Sequence, residues 1–234
     1  MDDLEVNQRF ATLSTAHVAD ACIRAGVPVR CGPVGLTPVG PAMRAAGRVL
    51  PVVHFGSVDI FLEAIGQATP GNVLTVNNGG RTDEACIGDL IALEAQASQL
   101  AGIVIWGLHR DTAEIITIDL PVFSLGATPT GPQQLRDRTP EALQSARVGD
   151  CTVDRTDFVF ADADGVIFVN EERVGNILGL AETIRDTEGR QAQKIRAGQM
   201  LRTQLQFDSY IARRLKEPSW SLREHLRETG AAIE

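Results

Sequence analysis

The 234 residues carry 22 Lys and Arg against 30 Asp and Glu, a formal charge of −8, and 44% of them are hydrophobic. That balance excludes a disordered chain and a uniformly basic nucleic-acid binder, and the length suits one large domain or two small ones that need no staples. Cys22, Cys31, Cys86 and Cys151 stand in no CxxC or disulfide-framework spacing. Reduced, buried thiols in a cytoplasmic protein are therefore expected. The N-terminal MDDLEVNQRF is acidic and unlike a signal peptide, and the apolar runs fall short of the ~18–20 residues of a membrane span.

In chain order, residues 4–25 place Phe10, Leu13, Val18, Ala21 and Cys22 at helical spacing. A break is expected near Ser14, which suits an N-cap, and a stop at Gly26 before Pro28. Residues 30–47 are punctuated by Gly and Pro into short extended pieces. AAGRVLPVVHF (45–55) reads as a strand, 58–67 as a helix stopped before Pro70-Gly71, and NVLTVN (72–77) as a compact buried strand. After the turn Asn78-Gly79-Gly80, a helix is expected over about 85–101. GIVIW (102–106) is a second buried strand, 111–118 a short helix and PVFSL (121–125) another strand. Alternation of strand and helix over 72–125 predicts a parallel sheet. Short β-runs follow at 151–153, 158–161 and 166–169, the last two joined by the turn residues Asp162-Ala163-Asp164-Gly165. From Glu171 a polar helical tail is expected over 171–200 and 203–216, interrupted by Pro218. The organisation expected is one α/β domain with a helical C-terminal extension.

The chemistry concentrates in GGRTDEACIGDLIALEAQASQLAGIVIWGLHRD (79–111). Ligands of open α/β sheets sit at the carboxyl ends of parallel strands, and the turns after NVLTVN and GIVIW lie at such ends. The N–H groups of Gly88, Asp89, Leu90 and Ile91 at a helix start make an anion site. Arg110 offers a planar fork for a carboxylate or keto acid. Asp111 is a hard oxygen donor suited to Mg²⁺ or Mn²⁺, and Asp89 is placed to hold a water near such an ion. Taken alone, the same residues also fit an N-cap and a surface ion pair.

The Gly-Asp pair at 88–89, followed after twenty residues by Arg110-Asp111, resembles the signature of the RraA-like family of class II pyruvate aldolases. That family includes 4-hydroxy-4-methyl-2-oxoglutarate and 4-carboxy-4-hydroxy-2-oxoadipate aldolases. STAHVADAC, ATPGNVLTVNNGG and DFVFADADGVIFV agree with it, over roughly residues 10–175. The resemblance implies an αββ swivelling fold, as in phosphohistidine domains, over 1–175, with a C-terminal helical extension over 176–234 serving oligomer contacts. It implies a homotrimer or homohexamer with clefts between subunits, while the acidic charge and the short apolar runs lead to the expectation of no nucleic-acid or membrane partner. It implies a divalent metal, Mg²⁺ or Mn²⁺, on Asp111. Arg110 and the amides of Gly88, Asp89, Leu90 and Ile91 would bind the pyruvyl part of a small carboxylated keto-acid substrate, with Asp89 as acid/base group. The implied activity is cleavage of a 4-hydroxy-2-oxo acid to pyruvate and a second keto acid, with oxaloacetate decarboxylation. Retro-aldol cleavage and decarboxylation both leave a pyruvate enolate, which a metal and a guanidinium stabilise. A Schiff-base route is poorly supported, because the only lysines are Lys194 and Lys216.

The pattern also departs from the family. Val58 or Ser57 stands where the aldolases carry an Asn, and Gln199 replaces a Glu in the tail. Glu188 is the best match for a carboxylate that a neighbouring subunit contributes. Some relatives are regulators of RNase E, so a non-catalytic RraA-type regulator is the rival reading. Among other candidates, His109 reads first as a packing group rather than a metal ligand, and His54 as a strand-end residue with a chance to face the cleft. Cys86 has no signal of nucleophilic work. Gly79-Gly80 lacks a Walker lysine, and Asp162 and Asp164 lack the EF-hand spacing.

Overall fold

Two short helices open the chain in the computed structural model, which describes residues 2–230. In α1 (Asp3–Phe10) the Asp2 carboxylate accepts from the Glu5 N–H at 2.7 Å. In α2 (Thr15–Ala25) Ser14 and His17 form a reciprocal cap, and Gly26 ends the helix with φ 67°. The break expected at Ser14 falls there because its hydroxyl satisfies a helix-end N–H that would otherwise lack a partner.

The strands and helices then run β1 (Arg30–Cys31), β2 (Thr37–Pro38), β3 (Ala45–Val53), α3 (Asp59–Ile65), β4 (Val73–Asn77), β5 (Ala85–Ile87) and α4 (Asp89–Ala97). They continue β6 (Gly102–Trp106), β7 (Leu108–His109), α5 (Thr112–Ile118), β8 (Val122–Ser124), β9 (Ser145–Val148), β10 (Cys151–Asp154), β11 (Asp157–Asp162), β12 (Gly165–Asn170) and α6 (Glu171–Arg196). One eight-stranded sheet has the order β1-β12-β11-β3-β4-β6-β8-β2. Its β3-β4-β6-β8 half is parallel, and β11, β12 and the short edges are antiparallel. The expected neighbours NVLTVN and GIVIW do pair, with Val76 opposite Ile105. β9 pairs β10, and β5 pairs β7, as separate two-stranded ladders.

Phe61, Phe123, Phe158, Phe160 and Phe168 are all but inaccessible, each contributing about 1.5–3 kcal/mol by burial. Phe10 brings α1 onto the sheet through the Phe160 ring, 5.2 Å away. The chain divides into two compact units, Met1–Leu178 and Gly179–Glu234. In the second, α7 (Leu201–Gln204), α8 (Phe207–Arg214) and α9 (Leu222–Thr229) follow α6. There the Arg213 guanidinium lies 3.4 Å from the Trp220 ring centre and bonds Glu228 at 2.8 Å, while His225 Nε2 donates to the Leu205 carbonyl at 2.9 Å.

Three expectations need correction. The helix expected over 85–101 starts only at Asp89, because Ala85-Cys86-Ile87 is fully buried and pairs with β7. β9 was not anticipated: SARV is too short and polar to stand out without its partner strand. The second tail helix is split where Gln206 takes φ 51°. Among the described residues no helix is long and apolar enough to cross a membrane, and all four cysteines are free.

Candidate active site

β5 and β7 set the centre of the site. The ladder joining them is extended by the Arg110 N–H donating to the Ile87 carbonyl at 2.9 Å. This bond fastens the turn after β7 against the start of α4. Gly88 is the N-cap of α4, and no side chain caps that helix. A Cβ on Gly88 would stand 2.3 Å from Asp111 Oδ2 and 3.2 Å from Arg110 Cγ and Nε. Glycine is thus required so that the Arg110-Asp111 pair can lie directly on the helix start. Arg110 Nε and Asp111 Oδ2 are 3.3 Å apart, with the guanidinium side chain half exposed and the carboxylate about one-third exposed.

Asp111 adopts φ 59°, ψ 46°, a left-handed conformation that costs a non-glycine residue about 1 kcal/mol or more. Neighbouring bonds over-determine it. The Asp111 carbonyl accepts from Ile115 N–H at 2.9 Å, starting α5, and His109 N–H donates to the Gly126 carbonyl at 3.0 Å. The His109 ring bridges Ser124 and Thr112 beside the Arg110-Asp111 turn, with Nδ1 2.7 Å from Ser124 Oγ and Nε2 3.0 Å from Thr112 Oγ1. The Ser124 hydroxyl also donates to the Gly126 carbonyl, so His109 Nδ1–H donates to Ser124 and Nε2 accepts from Thr112. Burial holds the ring below its ordinary pKa. Both nitrogens are thereby committed, and His109 is a clamp on the turn with no lone pair left for a metal.

Asp89 is half-buried, and its Oδ1 accepts from the Leu90 N–H at 2.8 Å. One of the four amides expected to receive an anion is therefore shared with the Asp89 carboxylate. The cleft in front measures about 680 Å³ and is lined by α3, α4 and the loop carrying Pro132. Asp89, Glu94 and Arg110 are its charged residues, and Val58, Leu62, Leu90 and Leu93 face it from the two helices. Val58 is 54% exposed and caps nothing. Cys86 lies in the floor, fully buried, and burial pushes its thiol up, which leaves it unreactive.

His54, Asn78, Glu84 and Arg136 form a separate polar group. Arg136 Nη2 donates to Glu84 Oε1 at 3.0 Å and reaches Asn78 Oδ1 at 3.4 Å. Asn78 Oδ1 also accepts from His54 Nδ1 at 2.9 Å, and the His54 ring stacks on Phe61. Burial lowers the His54 pKa, and its Nε2 has no hydrogen-bond partner. His54 is sealed here and does not line the cleft, so the reading of it as a strand-end residue stands and the alternative that it face the cleft does not. Asn78, Glu84 and Arg136 escaped the sequence reading, since Arg136 sits in an irregular loop and no motif joins it to Glu84. Glu188 lies on α6 in the second unit, whereas the cleft is built wholly from the first.

Among the described residues no group of three or more His, Cys, Asp or Glu is gathered as a metal cage. The donor set at the cleft is the Asp111 carboxylate, partly exposed and next to a guanidinium. That suits a strongly hydrated ion such as Mg²⁺, which keeps most of its waters and takes one or two carboxylates plus substrate oxygens.

The comparisons with known proteins agree with this architecture. A curated relative from Alkalilimnicola ehrlichii, named "Putative 4-hydroxy-4-methyl-2-oxoglutarate aldolase", is 31% identical over 135 residues, 58% of this chain and 83% of its own. One of the same name from Aromatoleum aromaticum is 31% identical over 121 residues, covering 52% and 75%. Among solved structures, an uncharacterised protein from Pseudomonas syringae pv. tomato superposes with a TM-score of 0.73 at 25% identity, over 85% of this chain and 95% of its own. Streptomyces coelicolor RraAS2, described as an unusual member of the RNase ES inhibitor RraA family, gives 0.71 at 21% identity, over 83% and 100%, and shares the fold. The domain model described as RraA-like, Aldolase/RraA, matches residues 15–168, a span that contains Gly88, Asp89, Arg110 and Asp111 together, and the chain belongs to that family.

Proposed function

We propose that the protein is a divalent-metal-dependent lyase of the class II pyruvate aldolase type. It would cleave a 4-hydroxy-2-oxo acid to pyruvate and a second keto acid, and decarboxylate oxaloacetate, in the cytoplasm. The observation that carries this is the Arg110 guanidinium and Asp111 carboxylate held side by side on Gly88, at the start of α4 and the edge of the cleft. The names of the curated relatives support the aldolase class.

In this reading the amides of Gly88, Asp89 and Ile91 and the fork of Arg110 bind the 2-oxo acid head. Arg110 then stabilises the negative charge that develops on the C2 oxygen as the C3–C4 bond breaks. Asp89, through the carboxylate oxygen not bonded to Leu90, takes the proton of the 4-hydroxyl and returns it to C3 of the enolate. With oxaloacetate, carbon dioxide leaves from the ionised C4 carboxylate without releasing a proton, and the proton that reaches C3 comes from solvent water, relayed through Asp89. A Mg²⁺ or Mn²⁺ ion on Asp111 would add Lewis-acid stabilisation of the enolate charge.

A homo-oligomer of three or six copies belongs to the same proposal, with Glu188 of the partner subunit completing the site. The second unit supports it by exposing Ile195, Met200, Leu201, Ile211 and Leu215. Light scattering should give three or six times the chain mass, and a monomer overturns that part.

The test of activity is pyruvate release from oxaloacetate, followed by coupled oxidation of NADH. Chelation should abolish it and Mg²⁺ restore it, and Asp111→Ala should lose it without unfolding. Full activity in chelator overturns the metal role. A chain that releases no pyruvate but inhibits RNase E would replace the lyase by the regulator.

A further inference from the structure

Away from the cleft, residues 30–33 run beside residues 149–152 in one antiparallel register. Arg30 Nη2 donates to the Thr152 carbonyl at 2.7 Å, and the Cys151 thiol donates to the Cys31 carbonyl at 3.3 Å. Pro33 packs so closely on Gly149 that a Cβ there would stand 2.9 Å from Pro33 Cδ. Each step forward along one segment is matched by a step back along the other, so Cys31 faces Cys151. The carbonyl contact puts the Cys151 sulfur within about 6 Å of the Cys31 Cα, given ordinary backbone bond lengths. Rotation of the two side chains about χ1 spans that gap. Facing residues of antiparallel strands stand about 4.5–5.5 Å apart in Cα, inside the ~4.4–6.8 Å that a disulfide accepts. None of these residues lines the cleft.

We propose that Cys31 and Cys151 are a redox pair that hydrogen peroxide converts to an intrachain disulfide, stapling the edge strand β1 to β10. The Cys151 thiolate, beside the Arg30 guanidinium, attacks a peroxide oxygen. The O–O bond breaks, the departing hydroxide takes up a proton as water, and a sulfenic acid forms on Cys151. The Cys31 thiolate then attacks that sulfur, the S–O bond breaks and a second water leaves. The two thiols lose two electrons in all, and one peroxide is reduced to two waters. Cys22 is the rival partner for Cys31. It is 1% exposed on the buried face of α2, where burial pushes its thiol up to about 11. Burial raises the Cys151 thiol as well, but there Arg30 opposes it. β1 is only two residues long and pairs with β12 at the edge of the sheet. A bond from Cys31 to β10 ties down that short edge and closes a loop of 120 residues, which restricts the unfolded chain strongly.

The test treats the 234-residue protein, in the assembly it forms in solution, with hydrogen peroxide, blocks the remaining thiols with iodoacetamide and maps the peptides by mass spectrometry. The expected product joins the Cys31 and Cys151 peptides with the loss of two hydrogens. It migrates as a single chain on non-reducing denaturing gels and reverts with dithiothreitol. Its melting temperature should exceed that of the reduced protein by about 5 °C or more. Cys31→Ser and Cys151→Ser should each abolish the product and the rise, and Cys22→Ala should keep both. A Cys22–Cys31 bond, a bond between two chains, or sulfinic acid on either cysteine without a disulfide overturns the proposal. So does a pair that a neighbouring subunit keeps from peroxide, seen as Cys31 and Cys151 recovered as thiols.

Discussion

Two polar groups sit at the carboxyl ends of neighbouring parallel strands, and they are built in opposite ways. Around His54, Asn78, Glu84 and Arg136 the polar atoms face one another: Glu84 is 3% exposed, His54 4%, and the Glu84 charge is answered by Arg136 and, at 3.5 Å, by Arg81. Around Arg110 and Asp111 the side chains stay partly exposed, the backbone is held in a left-handed conformation, and a glycine clears the space beneath. The first arrangement spends its polarity inside the fold. The second leaves donors and a carboxylate facing a cleft, with the supporting bonds made by His109, Ser124 and Thr112 behind it. The strand-end rule marks both places, and only the direction in which the polar groups are satisfied separates an interior brace from a site.

The comparison predicts that each region fails in its own way. The largest effect is expected for Gly88→Ala, whose Cβ would collide with Asp111 Oδ2 at 2.3 Å. Pyruvate release should fall by about 10²-fold or more with the melting temperature nearly unchanged, and retained turnover would break the assignment of the site. Next comes Arg136→Ala, which strands the Glu84 carboxylate. It should cost about 3 kcal/mol of stability, a fall of roughly 6–12 °C in melting temperature, with kcat within about twofold. Loss of activity without loss of stability would move Arg136 from brace to site.

Arg110→Lys keeps the charge and loses the fork, and should lower kcat by at least about tenfold with stability unchanged. A surface pair with Asp111 worth about 0–1 kcal/mol would instead tolerate lysine. The smallest effect is one of pH. His54 and His109 are held by burial below their ordinary value of 6.5. The unfolded chain therefore takes up protons before the folded one, so stability is full above 6.5 and declines as pH drops from 6.5 toward the folded values. Melting temperatures between about pH 7.5 and about 5.5 should show the decline, and His54→Gln should remove part of it. A flat profile would mean that the rings protonate in place.

The sequence alone determined most of the elements and picked out the residues of the candidate site. Apolar runs such as NVLTVN, GIVIW and DFVFAD bury completely or nearly so, so composition and length were enough to name them as strands. The Gly-Asp and Arg-Asp pairs carry chemistry in their residue types and spacing, and the fold brings Gly88, Asp89 and Arg110 to one cleft with the Asp111 carboxylate against Gly88. What the tertiary structure decided depends on partners distant in the chain. Ala85-Cys86-Ile87 is a strand because β7, more than twenty residues later, supplies its ladder; helical periodicity could not reveal that. His54 and His109 look alike in sequence, each at a strand end. One became an interior brace and the other a clamp on the functional turn because Asn78, and Ser124 with Thr112, meet their nitrogens. Hydrogen-bond partners are chosen by the packing of the sheet, and a linear sequence carries no record of that choice.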